Sequence, residues 1–85
     1  MILLETSKFQ KLRKKLKDDE EREALRRAVL HIFEKPEAGK KLKGELRELR
    51  SFPYSVRGQA RRLIYRHTKD AVVLFSFGPR PGTYR

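Results

Sequence analysis

The hydrophobic period changes once along this chain, and that change constrains the fold more than any other feature. Phe9, Leu12 and Leu16, then Leu25, Val29, Ile32 and Phe33, recur at helical spacing, with polar residues filling the other faces. Beyond Leu49 the spacing drops to two. Phe52, Tyr54 and Val56 alternate with Ser51, Pro53, Ser55 and Arg57, and Leu63 and Tyr65 alternate with Arg62, Ile64 and Arg66. Lys35-Pro36 stands between the halves, where the residue before proline is pushed out of the α region and the helix must stop. A helical half followed by a strand-forming half is an α+β pattern.

Ile2, Leu3 and Leu4 form a short apolar run that reads as a first strand. Ser7 with Gln10 three residues on has the form of a capping box and opens a Lys-rich helix. Asp18-Asp19-Glu20-Glu21 interrupts the pattern and places negative charge where a second helix N-terminus needs it. Residues 7–34 therefore predict a helical hairpin, and EAGKKLKGEL a polar connector carrying the basic run Lys40, Lys41 and Lys43. Pro53 lacks an amide donor and argues for an edge position or a bulge. Gly58-Gln59 and Thr68-Lys69-Asp70 read as turns, Ala71 to Phe77 as the best buried strand, and Gly78-Pro79-Arg80-Pro81-Gly82 as a loop. The expected order is β-α-α-β-β-β in one domain spanning residues 1–85, an N-terminal strand and helical hairpin packed on a small, mainly antiparallel sheet. Pairing across Gly58 is expected to set Arg57 and Arg62 together on the face opposite Phe52, Tyr54, Leu63 and Tyr65, left open by the helices.

Charge decides what that face can meet. The chain of 85 residues carries a net charge of +11, and from Arg50 onward the basic residues Arg50, Arg57, Arg61, Arg62, Arg66, Lys69, Arg80 and Arg85 face Asp70 alone. Such a balance fits nucleic acid, an acidic protein or an anionic membrane surface. No cysteine is present, which excludes disulfides and thiolate chemistry, and His31 and His67 have no paired ligand spacing around them, so neither a metal nor another cofactor is expected. The three large apolar residues after Met1 are too few for a signal peptide or a membrane span, and the expected location is the cytoplasm, with no membrane partner. His31 reads as a structural or surface group, and Tyr65 and His67 as belonging to the covered face.

Cleaving RNA without a metal requires removing the 2′-hydroxyl proton, stabilising a phosphorane and protonating the leaving 5′-oxygen. Arginine stays protonated, so it grips phosphate and stabilises the anionic transition state. Tyr84 offers a phenol for proton transfer. No residue of the open face is an evident general base; Glu45 and Glu48 lie near the strand entrance, where a solvated surface role is the simpler account.

GELRELR, then RRLIYR, a strand and FGPRPGTYR form an ordered set that resembles the RelE/ParE superfamily of toxins from toxin–antitoxin pairs, most closely its RelE branch. The resemblance runs over nearly the whole chain and is sharpest from Leu42 to Tyr84. It implies a RelE-like fold and a ribosome-dependent endoribonuclease that cuts messenger RNA and is neutralised by a RelB-like antitoxin, with an acidic segment suited to the basic face. It further implies that Arg62 contacts the scissile phosphate, Arg80 stabilises the transition state, and Tyr84 stacks on substrate and assists proton transfer. Arg57 matches another phosphate-binding arginine, Arg61 and Arg66 add to the RNA-binding strand, and Lys40, Lys41 and Lys43 form a patch toward ribosomal RNA. The chain departs from the RelE pattern at Pro53 and Ser55, where relatives often carry a Lys-x-Lys pair, and in a loop without histidine. Two other functions remain open: a ParE-like inhibitor of DNA gyrase, and a relative that binds antitoxin or RNA without cutting.

Overall fold

The computed structural model describes residues 1–79, apart from the side chain of Leu46. The order is β1 (Ile2–Glu5), α1 (Ser7–Lys15), α2 (Asp19–Glu34), β2 (Lys40–Lys41), β3 (Leu49–Val56), β4 (Gln59–His67) and β5 (Ala71–Pro79), with 3₁₀ turns at Pro36–Ala38 and Gly44–Leu46. The sheet runs β1-β5-β4-β3-β2; β1 pairs parallel with β5 and the other pairs are antiparallel. The expected architecture is present with one addition. The polar connector contributes β2, too short and too charged to show a strand period, whose Lys40 and Lys41 pair with Ser51 and Arg50.

Both helices begin on side-chain caps. Thr6, one residue ahead of the expected Ser7, accepts from the Phe9 amide at 3.1 Å, and its hydroxyl donates to the Phe75 carbonyl at 3.2 Å. A cap that also reaches the sheet is decided by tertiary position, which the local capping pattern does not contain. Asp18 caps α2 through the Glu20 amide at 2.9 Å, and Asp19, Glu20 and Glu21 fill the first turn, where negative charge suits the helix dipole.

One face of the sheet packs on the helices. Phe9, Leu25, Ala28 and Ile32 meet Leu63, Tyr65, Val72 and Leu74 in a single cluster, with Phe52, Tyr54 and Phe77 at its margin. Fully burying a large apolar side chain stabilises by about 2 kcal/mol, so this cluster is the main source of stability in a domain this small. β5 is well buried as expected, but β4 at the centre of the sheet matches it: Leu63, Ile64 and Tyr65 are all at 0% exposure. Tyr65 closes the core polarly. Its hydroxyl donates to the Pro36 carbonyl at 2.6 Å and accepts from the Gly39 amide at 2.8 Å.

Two local expectations change and one is met. The β3–β4 turn is Arg57-Gly58, with φ of 51° and 78°, so both central residues are left-handed as in a type I′ hairpin, and Val56 pairs with Gln59. β5 continues through Gly78 and Pro79, which pair with Arg62 and Arg61, because β4 offers a partner that far. Pro53 is indeed at an edge: β2 reaches only Arg50 and Ser51, leaving the outer side of Pro53 unpaired.

Candidate nucleic-acid interface

The alternation of β3 and β4 builds a second surface on the side away from the helices. Leu49, Ser51, Pro53 and Ser55 stand opposite Arg66, Ile64, Arg62 and Ala60, and opposite residues of a pair project to the same side. On the other flank of β4, Arg62 meets Gly78, Ile64 meets Ser76 and Arg66 meets Val73. A bulge inserts Phe75 into β5 at the level of Ile64 and Tyr65. The face is not open throughout. Ser51, Ile64 and Ser76 form a row across it, with exposures of 1%, 0% and 2%, between the levels of Arg62 and Arg66.

Arg62 is the centre of this surface. Its cross-strand neighbours are Pro53, which is short, and Gly78, which has no side chain, so its guanidinium has lateral room. One terminal nitrogen donates to the Ser51 hydroxyl at 2.9 Å, and no carboxylate among the described residues pairs with it. A guanidinium held by one neutral hydroxyl keeps most of its donors for an incoming oxyanion. Arg66 shares the face and lies against Phe75, 5.8 Å from the ring centroid. No Asp, Glu or His stands on this face of the described strands.

Arg57 and Arg61 do not join them. Arg57, expected beside Arg62, occupies the turn and bends to the α2 N-terminus, 2.5 Å from Asp18 and 3.3 Å from Glu20. A left-handed turn residue does not follow strand alternation, which is why the expected face was wrong. Arg61 alternates with Arg62 and so points to the helix side, where Glu21 holds it at 3.0 Å with only 16% of its side chain exposed. The hydrogen bond from Arg57, followed by that from the Glu20 amide, holds the Asp18 carboxyl below its ordinary value. The acidic cluster of α2 thus occupies two of the arginines that sequence assigns to RNA.

Lys41 in β2 and Lys43 just beyond it are exposed. Arg80 and Tyr84 lie outside the described residues. The described tyrosines of β3 and β4 do not replace Tyr84: burial pushes the Tyr54 phenol up to about 12 and raises that of Tyr65, and both face the helices. One residue of the surface escaped the sequence reading of the site, and for another that reading left the side open. Ser51 positions Arg62, and Lys40, opposite Ser51, is set by register on the same side. The signal for Ser51 was its place in the alternation two residues before Pro53. Nothing local marked the side on which Lys40 lies, because that depends on a two-residue strand.

Residues 3–85 match the family model described as ParE-like toxin of type II bacterial toxin–antitoxin systems. No curated protein matches the chain. Among solved structures, the intact Escherichia coli RelBE toxin–antitoxin complex contains a chain similar at a TM-score of 0.73 and 25% identity, covering 94% of this chain and 96% of that one. The isolated E. coli RelE toxin gives 0.73 at 24% identity over 98% of this chain and 87% of that one, which speaks to the fold. A conserved hypothetical protein of Helicobacter pylori shares the fold at a TM-score of 0.55 and 22% identity, covering 94% of each chain.

Proposed function

The chain belongs to the ParE-like toxins of type II bacterial toxin–antitoxin systems, and from that premise we propose that it is a metal-independent endoribonuclease that cuts messenger RNA on the ribosome. The observation that carries this reading is Arg62, a guanidinium without an ion-pair partner among the described residues, oriented by Ser51 on a sheet face whose described strands carry no carboxylate. A scissile phosphate there would receive parallel N–H donors, and the same donors would stabilise the added negative charge of the phosphorane. Arg80 and Tyr84 are proposed as the further transition-state cation and the stacking phenol.

With Pro53 and Ser55 in place of a lysine pair, Lys40 is the ammonium that register brings to this side, suited to phosphate contact and to protonating the leaving 5′-oxygen. The 2′-hydroxyl proton has no carboxylate or imidazole acceptor among the described side chains of the face. That supports dependence on the ribosome, which can orient the nucleotide and supply groups.

The proposed antitoxin partner follows the RelBE likeness. Its apolar part would suit the exposed Ile2, Leu3, Leu4 and Leu30, and an acidic part the basic face.

The test is 5′-end mapping of a messenger RNA in a cell-free translation reaction. New ends within ribosome-occupied codons, absent on naked RNA, are expected. Intact RNA together with inhibited gyrase supercoiling would favour the second reading, a gyrase inhibitor, to which the absent lysines at 53 and 55 lend weight.

A further inference from the structure

The end of the sheet away from the Arg57-Gly58 turn holds cations that the cleavage chemistry at Arg62 does not use. Lys41, Arg47, Arg50, Arg66, His67 and Thr68 line a basin of about 680 Å³, with Glu48 its one carboxylate. That volume is within the range of small-ligand sites. None of its four Lys and Arg side chains forms an ion pair among the described residues. Arg50 is steadied by donating to the Gly39 carbonyl at 2.8 Å. Arg66, backed by the Phe75 ring, keeps its Nε–H buried with no acceptor among the described residues.

We propose that this basin is a second phosphate site for single-stranded RNA, separate from the site of cleavage. Arg66 follows Arg62 by four positions on the same strand and face, about 13 Å at strand rise. One RNA strand running along β4 therefore meets Arg62 and then Arg66 at the sheet end, where Lys41 and Arg50, in register with Tyr65, reach the basin from the helix side of the sheet. The basin's lining is polar and contains no large apolar side chain, which fits a backbone phosphate and not a lipid surface or an apolar helix. This inference rests on reading the Arg62 face as an RNA site. It adds Arg47 and Arg50 to the residues that hold RNA.

Fluorescence anisotropy of a short labelled RNA, titrated at several salt concentrations, tests it. Lys41 and Arg47 are exposed, so the double variant Lys41→Gln/Arg47→Gln should keep the fold, as circular dichroism would verify. Losing two phosphate contacts should flatten the slope of log affinity against log salt by about 1.4 and weaken binding about tenfold, whatever the RNA sequence. A control pair on α1, Lys8→Gln/Lys11→Gln, should change the slope by less than a third as much. Unchanged slope in the basin variant, or an equal loss in the α1 control, overturns the proposal. So does a poly-glutamate peptide that binds the wild type but not the basin variant while RNA binds both equally, which would assign the basin to a protein partner. Cleavage on ribosomes with an unchanged slope removes only the basin; a lost slope without cleavage removes only the nuclease reading.

Discussion

Two contacts at single residues separate binding from folding. Among the described side chains Arg62 hydrogen-bonds only the Ser51 hydroxyl, and it is not part of the core cluster, so its removal should leave the core alone. Arg62→Ala is expected to abolish messenger RNA cleavage and growth inhibition with unchanged circular dichroism; a toxic, well-folded Arg62→Ala protein would sink the assignment. Arg62→Lys should recover little, because one ammonium cannot reproduce the planar fork. Gly39 marks the opposite case. A Cβ there would fall inside the van der Waals envelope of the Tyr65 hydroxyl and ring, and that hydroxyl is fixed by Pro36 and the Gly39 amide. Gly39→Ala is expected to cost about 2 kcal/mol, as overpacking in a rigid core does, measured by chemical denaturation. Stability equal to wild type would mean that Tyr65 moves freely, contrary to its burial.

At the scale of elements, the β3–β4 hairpin and α2 are tied at one corner. The α2 N-terminus presents Asp18, Glu20 and Glu21, and the hairpin answers with Arg57 and Arg61. Asp18 has its carboxyl lowered below 3.8, first by Arg57, so it contributes stability above that value and loses it as pH falls through the folded-state value. Asp18→Asn keeps an N-cap, and isolates the charge. The variant should be less stable than wild type at neutral pH, with the gap closing in acid; a gap independent of pH would contradict the role of this ion pair. Thr6 joins α1 to β5 in the same manner. Thr6→Ala is expected to cost about 1 kcal/mol by thermal denaturation, since it removes a cap and a bond to the sheet together.

For the molecule as a whole, the net charge of +11 is not spread evenly. Acidic residues at the α2 N-terminus neutralise one corner, while Arg62, Arg66, Lys40 and the cations of the basin at the sheet end, lined also by Glu48, form no ion pair among the described residues. A field of that shape predicts steered association with RNA that weakens steeply with salt. Stopped-flow association rates should fall by about an order of magnitude between low and physiological salt, and a flat dependence would speak against electrostatic capture.

The period change, the proline stop and the acidic run were enough to determine the helical hairpin and the four longer strands in chain order, because each acts within a few residues. They also isolated Arg62 as a cation on a polar strand face. What they left open needed contacts between distant segments. The side on which Arg57 lies follows from a left-handed turn and from Asp18 and Glu20 on another element. Arg61 became a structural ion pair because Glu21 sits above it. Lys40 gained its place through a strand of two residues, and the Thr6 cap through a carbonyl 69 positions away. Local spacing sets where side chains can point; only the packed chain decides which charges find partners and which remain free for a ligand.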